Sequence, residues 1–450
     1  MTRFKIDFGA TGLFRAMRYR NYRLFFAGQC ISLLGTWIQQ LAMSWLAYRL
    51  TQSAFLLGVV GFSGQVPALL FTPFAGVWAD RLNKHRVVIA TQILSMVQAL
   101  ILAGLVLAGA ITPAWIIVLS VFLGVINSFD VPTRQSFIIQ LVDNREDLNN
   151  AIALNSSMFN MARMVGPSLA GIFVALVGEG VCFLINGLSY LAVIAGLFAM
   201  RFPTRPAMPK KAGMFAELAD GFGYAFSFMP IRTVLLLVSL ISLMGGSYIV
   251  VMPVYVQQVL NGDAKTLGFL MGAVGLGALT GALFLAARRS PVGLEKTIGL
   301  AAATVGLGLL GFSFARQLTA GLSLIFVIGL GMTIHMASCN TLLQTVVNEA
   351  RRGRVMSIYT MGFMGMGTFG SLIAGSLAQQ FGTLNALRIG GLVCLAGALL
   401  YISQLGRFRE EVWPVYQRRG LLSETPPEKE EESPELMAGG APDLTDGTGN

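Results

Sequence analysis

Long apolar runs separated by short polar breaks fill most of the chain. A helix that crosses a bilayer needs about 20 mostly apolar residues. Twelve such runs can be drawn. The first six cover roughly 24–48, 54–79, 87–109, 114–141, 150–177 and 181–200. The second six cover roughly 233–259, 266–287, 297–314, 319–346, 355–380 and 385–405. Only helices and closed barrels pair every backbone group in lipid, and these runs are too long and too continuously apolar for barrel strands. The pattern predicts an all-α membrane protein with twelve transmembrane helices in two six-helix bundles, 24–200 and 233–405.

The polar breaks organise the rest. Residues 1–23 precede the first run, and 201–232 form the longest internal polar segment, with Pro203, Pro206, Pro209, Lys210 and Lys211. Within it, Glu217 to Phe228 is expected to form a short interfacial helix. Residues 406–450 are an acidic tail, holding ten of the 22 acidic residues, and are expected to be disordered from about Ser423. An internal repeat links the halves. At an offset of 204, Gln140, Asn144, Gly166, Gly171, Gly178 and Gly187 match Gln344, Asn348, Gly370, Gly375, Gly382 and Gly391. Repeats of six helices with a site near the bilayer midplane are one common transporter design.

Composition sharpens this picture. The chain is 54% hydrophobic and 12% charged, with a mean hydropathy of +0.67. Soluble domains carry about 25% charged residues, so lipid must face much of this surface. The 52 glycines suit close helix packing. A net charge of +10 would point to nucleic acid in a soluble protein. Here it follows the helix count. Twenty-six of the 32 basic residues fall on the side of the termini and four on the other, which places both termini in the cytoplasm. No nucleic-acid partner is therefore expected. Cys30, Cys182, Cys339 and Cys394 lie in apolar runs without metal-ligand spacing and read as packing residues. No cleaved signal peptide is expected.

The loop after the second run reads Gly76-Val-Trp-Ala-Asp80-Arg81-Leu-Asn83-Lys84-His85-Arg86. It resembles the signature loop of the major facilitator superfamily, in sequence and in position. Asn83 stands where the family has glycine. The resemblance implies that Asp80 meets the N-terminal end of the eleventh helix and holds a cytoplasmic gate shut. Gly76, Arg81, Lys84 and Arg86 complete that motif, and the basic residues also serve as a topology signal. In the fifth helix, Ala162-x-x-x-Gly166-Pro167-x-x-Ala170-Gly171 resembles the Gly-Pro motif of the superfamily's antiporters. The stretches "NYRLFFAGQCISLLGTWIQQLAMSWL", "FDVPTRQSFIIQLV" and "LNNAIALNSSMFNMARMVGPSLAG" are similar to the branch of enterobactin exporters and macrolide-efflux-like permeases. That resemblance implies export by proton antiport.

Three charges lie inside predicted helices: Asp130, Arg134 and Arg163. Charge in a membrane is costly and usually faces a cavity or a partner. Asp130 and Arg134, four residues apart, share a helix face, and Arg163 lies at a depth that permits pairing with Asp130 from the next helix. Asp130 has two open roles, proton carrier or half of a fixed ion pair. Arg134 and Arg163 have the further option of an anionic substrate. His335 can titrate near neutral pH or can simply join two helices as a neutral imidazole. Gln39, Gln40, Asn127, Gln257 and Asn340 are polar candidates for a cavity, since helices one, four, seven and ten line it in the resembled family, or for hydrogen bonds that pack one helix on another. Met332, Met336, Met361, Met364 and Met366 suit an adaptable apolar pocket or plain packing.

No P-loop, HExxH or GxSxG sequence is present, so no nucleotide or metal cofactor and no enzymatic activity is expected. The chain reads as a monomeric secondary transporter of the cytoplasmic membrane. Its partners are protons, the bilayer and a small amphipathic substrate, siderophore-like or drug- and macrolide-like. A lipid or lysolipid translocase, a facilitative channel-like carrier and a membrane enzyme are the alternatives.

Overall fold

The computed structural model describes residues 12–142, 144–200, 223–246, 248–288 and 290–421. The side chains of 12–13, 73–81, 145–146 and 350 lie outside that description, as do most of the 201–232 linker and the tail from 422. The described residues are helical with short turns and contain no strand.

After a short 3₁₀ turn at Gly12–Arg18, the first four helices are α1 (Arg20–Thr51), α2 (Ala54–Arg81), α3 (Lys84–Leu107) and α4 (Pro113–Ile138). Residues Arg145–Phe198 run on without a loop but break at Gly178, whose φ of 77° reverses the chain. We call residues 145–177 α5 and 179–198 α6. Helix α7 runs from Met229 to Leu240, through a π turn at Ile241–Gly245, and resumes as Tyr248–Gln258. The series continues with α8 (Ala264–Ala286), α9 (Leu294–Phe312) and α10 (Leu318–Val346). Helix α11 (Arg352–Phe381) carries a second π turn at Met361–Gly365. Helices α12 (Thr383–Ser403) and α13 (Leu405–Arg418) follow.

Ten helices among the described residues are long and apolar enough to cross a membrane, with Asp147–Phe198 counted as one. The reversal at Gly178 divides that helix into two passages. Helix α1 is not among the ten but spans 32 residues. The arrangement is consistent with twelve crossings.

The 204-residue repeat reappears as equivalent contacts. Gly178 and Gly382 both adopt left-handed φ, 77° and 83°, at the α5–α6 and α11–α12 reversals. Only glycine takes this conformation without steric cost. Gly166 packs on Trp37 of α1, and Gly370 on the Leu243 backbone of α7. Gly187 meets Leu100 of α3, and Gly391 meets Gly306 of α9. Gly171 crosses Gly268 of α8, and Gly375 crosses Gly58 of α2, with backbone against backbone. A β-carbon at Gly171 would lie 2.5 Å from the Ala264 carbonyl, and one at Gly375 would lie 2.7 Å from the Ala54 carbonyl. Small residues here let helices touch where lipid offers no hydrophobic drive.

The last two crossings join the two halves. They gather at one end of the bundle, where α1, α5, α7 and α11 finish and α2 and α8 begin. There Gln258 Nε2 donates to Tyr48 Oη at 3.0 Å, and Gln379 of α11 accepts from the start of α2. The loops at 82–83, 287–288, 290–293 and 347–351 form the other end.

One feature was not drawn from sequence. The first residues of the tail form α13, whose Phe408, Val412 and Tyr416 recur every four residues and are buried against the bundle. The disorder expected from Ser423 and the linker helix up to Phe222 lie outside the described residues. Residues 223–227 are helical.

Candidate functional site

Asp130 is the centre of a polar cluster joining α1, α3 and α4. It is 4% exposed. One carboxylate oxygen accepts from Thr91 Oγ1 at 2.7 Å and Gln92 Nε2 at 3.0 Å. The other faces Arg134 Nε at 3.3 Å, one helical turn away. Arg134 in turn donates from Nη1 to Gln29 Oε1 at 3.1 Å. Its side chain stays 27% exposed, while Asp130, Gln29, Thr91 and Gln92 are buried. Arg134 is therefore the element through which the buried carboxylate meets the outside. Exposed Val131 and Asn127 lie one and two turns from it on the same stripe of α4.

The expected pairing of Arg163 with Asp130 does not occur. Among the described residues no ion pair joins them; Asp130 already has three donors on its own side of the bundle. Arg163 instead lies where α5 meets the other half: its guanidinium interacts with Tyr248 of α7, and its backbone carbonyl lies against Gly275 of α8. The structure thus separates the two arginines, one in the carboxylate cluster and one at the seam between halves.

His335 is fully buried. Its Nδ1 lies 3.2 Å from the Ile298 carbonyl of α9, and Cys339 Sγ lies 3.8 Å from Nε2. A hydrogen bond to that carbonyl requires the proton on Nδ1, so the ring joins α10 to α9 rather than to the neighbours of Asp130.

The polar candidates divide. Gln39 takes the packing role and not the cavity one: it is buried, with Nε2 donating to Gln98 at 3.0 Å and Oε1 accepting from Asn186 at 2.7 Å, and it ties α1, α3 and α6 together. Gln40, Asn127 and Gln257 are exposed. Asn340 is half-buried and accepts from Gln344 at 2.5 Å. Along the π turn of α11, Met361, Phe363, Met364 and Met366 are exposed. Met332 and Met336 instead pack against the core.

Motif residues have structural parts to play. In α5, Gly166 seats Trp37, the Pro167 carbonyl lies against Gly268, and Gly171 makes the crossing with α8. Asn83 caps α3, its Oδ1 accepting from the Arg86 amide at 3.3 Å. That explains why a non-glycine is tolerated there. His85 Nε2 lies 2.8 Å from the Leu197 carbonyl of α6. Gly76, Asp80 and Arg81 lie within α2, with side chains outside the described residues. Lys84 and Arg86 begin α3.

Sequence reading missed Gln29, Thr91 and Gln92 as partners of the central charges. A signal was available: Thr91, Ser95 and Gln98 recur at helical spacing inside an apolar run, with Gln92 beside them, and the structure buries all four.

Comparison with known proteins extends these findings. A family model described as "Transmembrane secretion effector" matches residues 11–416. The chain is 26% identical to the staphyloferrin A transporter of Staphylococcus aureus, across 85% of this chain and 96% of that protein. It is 24% identical to the multidrug efflux pump Tap of Mycolicibacterium fortuitum, over 77% and 87%. Against macrolide efflux protein A of Streptococcus pyogenes it is 22% identical, over 84% and 96%. In fold it is similar to a bacterial homologue of the lysosomal transporter Spinster in an inward-facing, unoccupied conformation, with a TM-score of 0.64, 15% identity, and 90% and 99% of the chains covered. A POT family transporter in complex with 5-aminolevulinic acid gives a TM-score of 0.68 at 11% identity, over 86% and 96%.

Proposed function

We propose that this chain, which belongs to the transmembrane secretion effector family of the major facilitator superfamily, is a secondary transporter that exports a small amphipathic organic molecule across the cytoplasmic membrane in exchange for protons. Its relatives are transporters of a siderophore, of several drugs and of macrolides. The observation that carries the coupling is the Asp130–Arg134 pair, a buried carboxylate whose partner is partly exposed.

Linkage fixes the sign of that coupling. An anionic group that draws Arg134 away leaves Asp130 without its cationic partner, held only by Thr91 and Gln92, so proton and anion travel together. A cationic or hydrogen-bond-donating group that engages the Asp130–Arg134 pair stabilises the carboxylate and expels the proton, as antiport requires. Proton antiport through Asp130 therefore selects substrates that present a donor. An acidic substrate is better matched to Arg163, at the seam between the halves. The exposed methionines of α11 supply an adaptable wall for the apolar part.

The distribution of basic residues supports cytoplasmic termini. In that orientation the end where α2 meets α11 is the outer one, and the halves rock about it to open the inner end. Asp80 is the proposed inner latch, its carboxylate favoured at a helix N-terminus; Asp80→Asn should impair transport while leaving insertion intact. The decisive test is uptake into inside-out vesicles. An imposed pH gradient, acid inside, should drive accumulation of a cationic amphiphile, and Asp130→Asn should abolish the drive. Accumulation indifferent to the gradient for every substrate offered would exclude antiport.

A further inference from the structure

Two cavities of the C-terminal half lie at the end carrying α13, and they share Arg419 as a wall. The larger, about 640 Å³, balances its charges: Glu349 and Glu411 face Arg418 and Arg419. The smaller, about 440 Å³, is lined by Arg352, Arg419, Thr341, Gln344 and Thr345, with no carboxylate among the described residues of its wall. Its size falls in the roughly 300–1,000 Å³ range of small-ligand sites.

The arginines here are not consumed by the protein. Arg352 Nη2 lies 3.4 Å from the exposed Glu349 carboxylate, a long contact through which water competes. Its Nε is buried without a hydrogen-bond partner among the described residues. A buried guanidinium N–H left this way costs free energy until an acceptor meets it. Arg419 is fixed in place by Nη2, which donates to the Val347 carbonyl at 2.9 Å. Gln344 Nε2 is engaged by Asn340, and Thr345 Oγ1 donates to the Thr341 carbonyl at 2.8 Å. The wall therefore offers two cations and the Thr341 hydroxyl. An anionic acceptor with several oxygens complements that wall. Two guanidinium forks suit a phosphate, which accepts paired N–H bonds.

We propose that this cavity binds a phosphate-type oxyanion, held by Arg352 and Arg419. It lies in the opposite half from Asp130, where α10 ends, α11 begins and α13 docks. That position is the interface region of the proposed inner leaflet. Two sources share the chemistry, the headgroup of an anionic phospholipid and free inorganic phosphate.

The test uses the purified full chain in a neutral detergent. Thermal unfolding is followed with added phosphatidylglycerol, with phosphatidylcholine, and with sodium phosphate against sodium chloride at equal ionic strength. Phosphatidylglycerol or phosphate should raise the melting temperature, and phosphatidylcholine should not. Arg352→Gln with Arg419→Gln should weaken the response by at least about tenfold in ligand concentration, because two charge-assisted contacts are lost. The double Arg→Lys variant should retain part of it, and Lys296→Gln with Arg407→Gln, outside the cavity, all of it. A shift with lipid alone identifies the headgroup; one with phosphate as well identifies a free anion site. No shift with either ligand overturns the proposal, as does an equal shift in the Arg→Gln pair. If that pair fails to fold, Thr341→Val serves in its place, with the same expected direction.

Discussion

The side-chain carbonyl of Gln379 lies 3.1 Å from the backbone amide of Ala54, so the end of α11 caps the beginning of α2. The same oxygen accepts from Ser53 Oγ at 3.2 Å and approaches the Phe55 amide at 3.5 Å. The first amides of a helix have no partner of their own. Here one half of the molecule supplies the acceptor for the other, which makes the cap a latch between halves.

Gln379→Ala should loosen that latch. Losing hydrogen bonds of about 1 kcal/mol each shifts a two-state equilibrium several-fold. The measurement is maleimide labelling from outside at Phe369→Cys, in a background lacking the four native cysteines. Phe369 faces Phe62 across the same seam, with ring centroids 5.8 Å apart. Labelling should quicken in Gln379→Ala and slow in Gln379→Glu, since a carboxylate is favoured at a helix start by about 0.3–1 kcal/mol. Unchanged rates in both would show that the contact does not latch.

Asp130→Asn separates coupling from movement. The amide can keep the Thr91 hydrogen bond but gives up the charge that holds Arg134. Transport driven by a pH gradient should be lost. Exchange of labelled for unlabelled substrate at equal concentrations, which needs no net proton movement, should persist. Loss of both activities would make Asp130 a structural anchor instead.

Gly171 and Gly375 should behave as a pair. Valine at either site would drive a side chain into a facing backbone carbonyl at under 3 Å. Overpacking of this kind costs about 1–3 kcal/mol, and the cheapest relief is to part the halves at that end. Both variants should insert, fail in transport and show faster outside labelling at Phe369→Cys. A defect at only one of the two would mean that the α5–α8 and α2–α11 seams do different jobs.

The docking of α13 rests on Arg409, whose Nε lies 3.1 Å from Glu295 Oε1. Glu295 is buried, and its second oxygen has no hydrogen-bond partner among the described residues. Arg409→Ala strands that carboxylate. We expect a loss of about 2 kcal/mol, moderated because the arginine is partly solvated, and faster proteolysis after Gln404. Glu295→Gln added to Arg409→Ala should recover part of the loss, since no charge then remains buried. Absence of recovery would locate the effect in packing alone.

Much of this architecture is legible in the sequence because lipid leaves few options. Apolar runs of helical length must be helices, and the six matched pairs at an offset of 204 anticipated equivalent seams at Gly171 and Gly375. The site was less accessible. Depth along a helix placed Arg163 level with Asp130, but the direction of a side chain depends on which helices are neighbours. That is set by three-dimensional packing, and it placed the Arg163 guanidinium beside Tyr248 of α7. The choice between cavity and packing at Gln39 was open for the same reason, since a polar residue on any one helix can point inward to its own bundle. Helix α13 escaped notice because its apolar stripe of Phe408, Val412 and Tyr416 is narrow and flanked by charges.

Only one residue, Gly178, separates α5 from α6, and only Gly382 separates α11 from α12. Neither hairpin has slack. A tilt imposed on α5 must be handed to α6 within a single peptide unit, and likewise from α11 to α12. Each pair is therefore tied through one glycine, and a displacement of either arm reaches the other undamped except for what the φ and ψ of that single residue absorb.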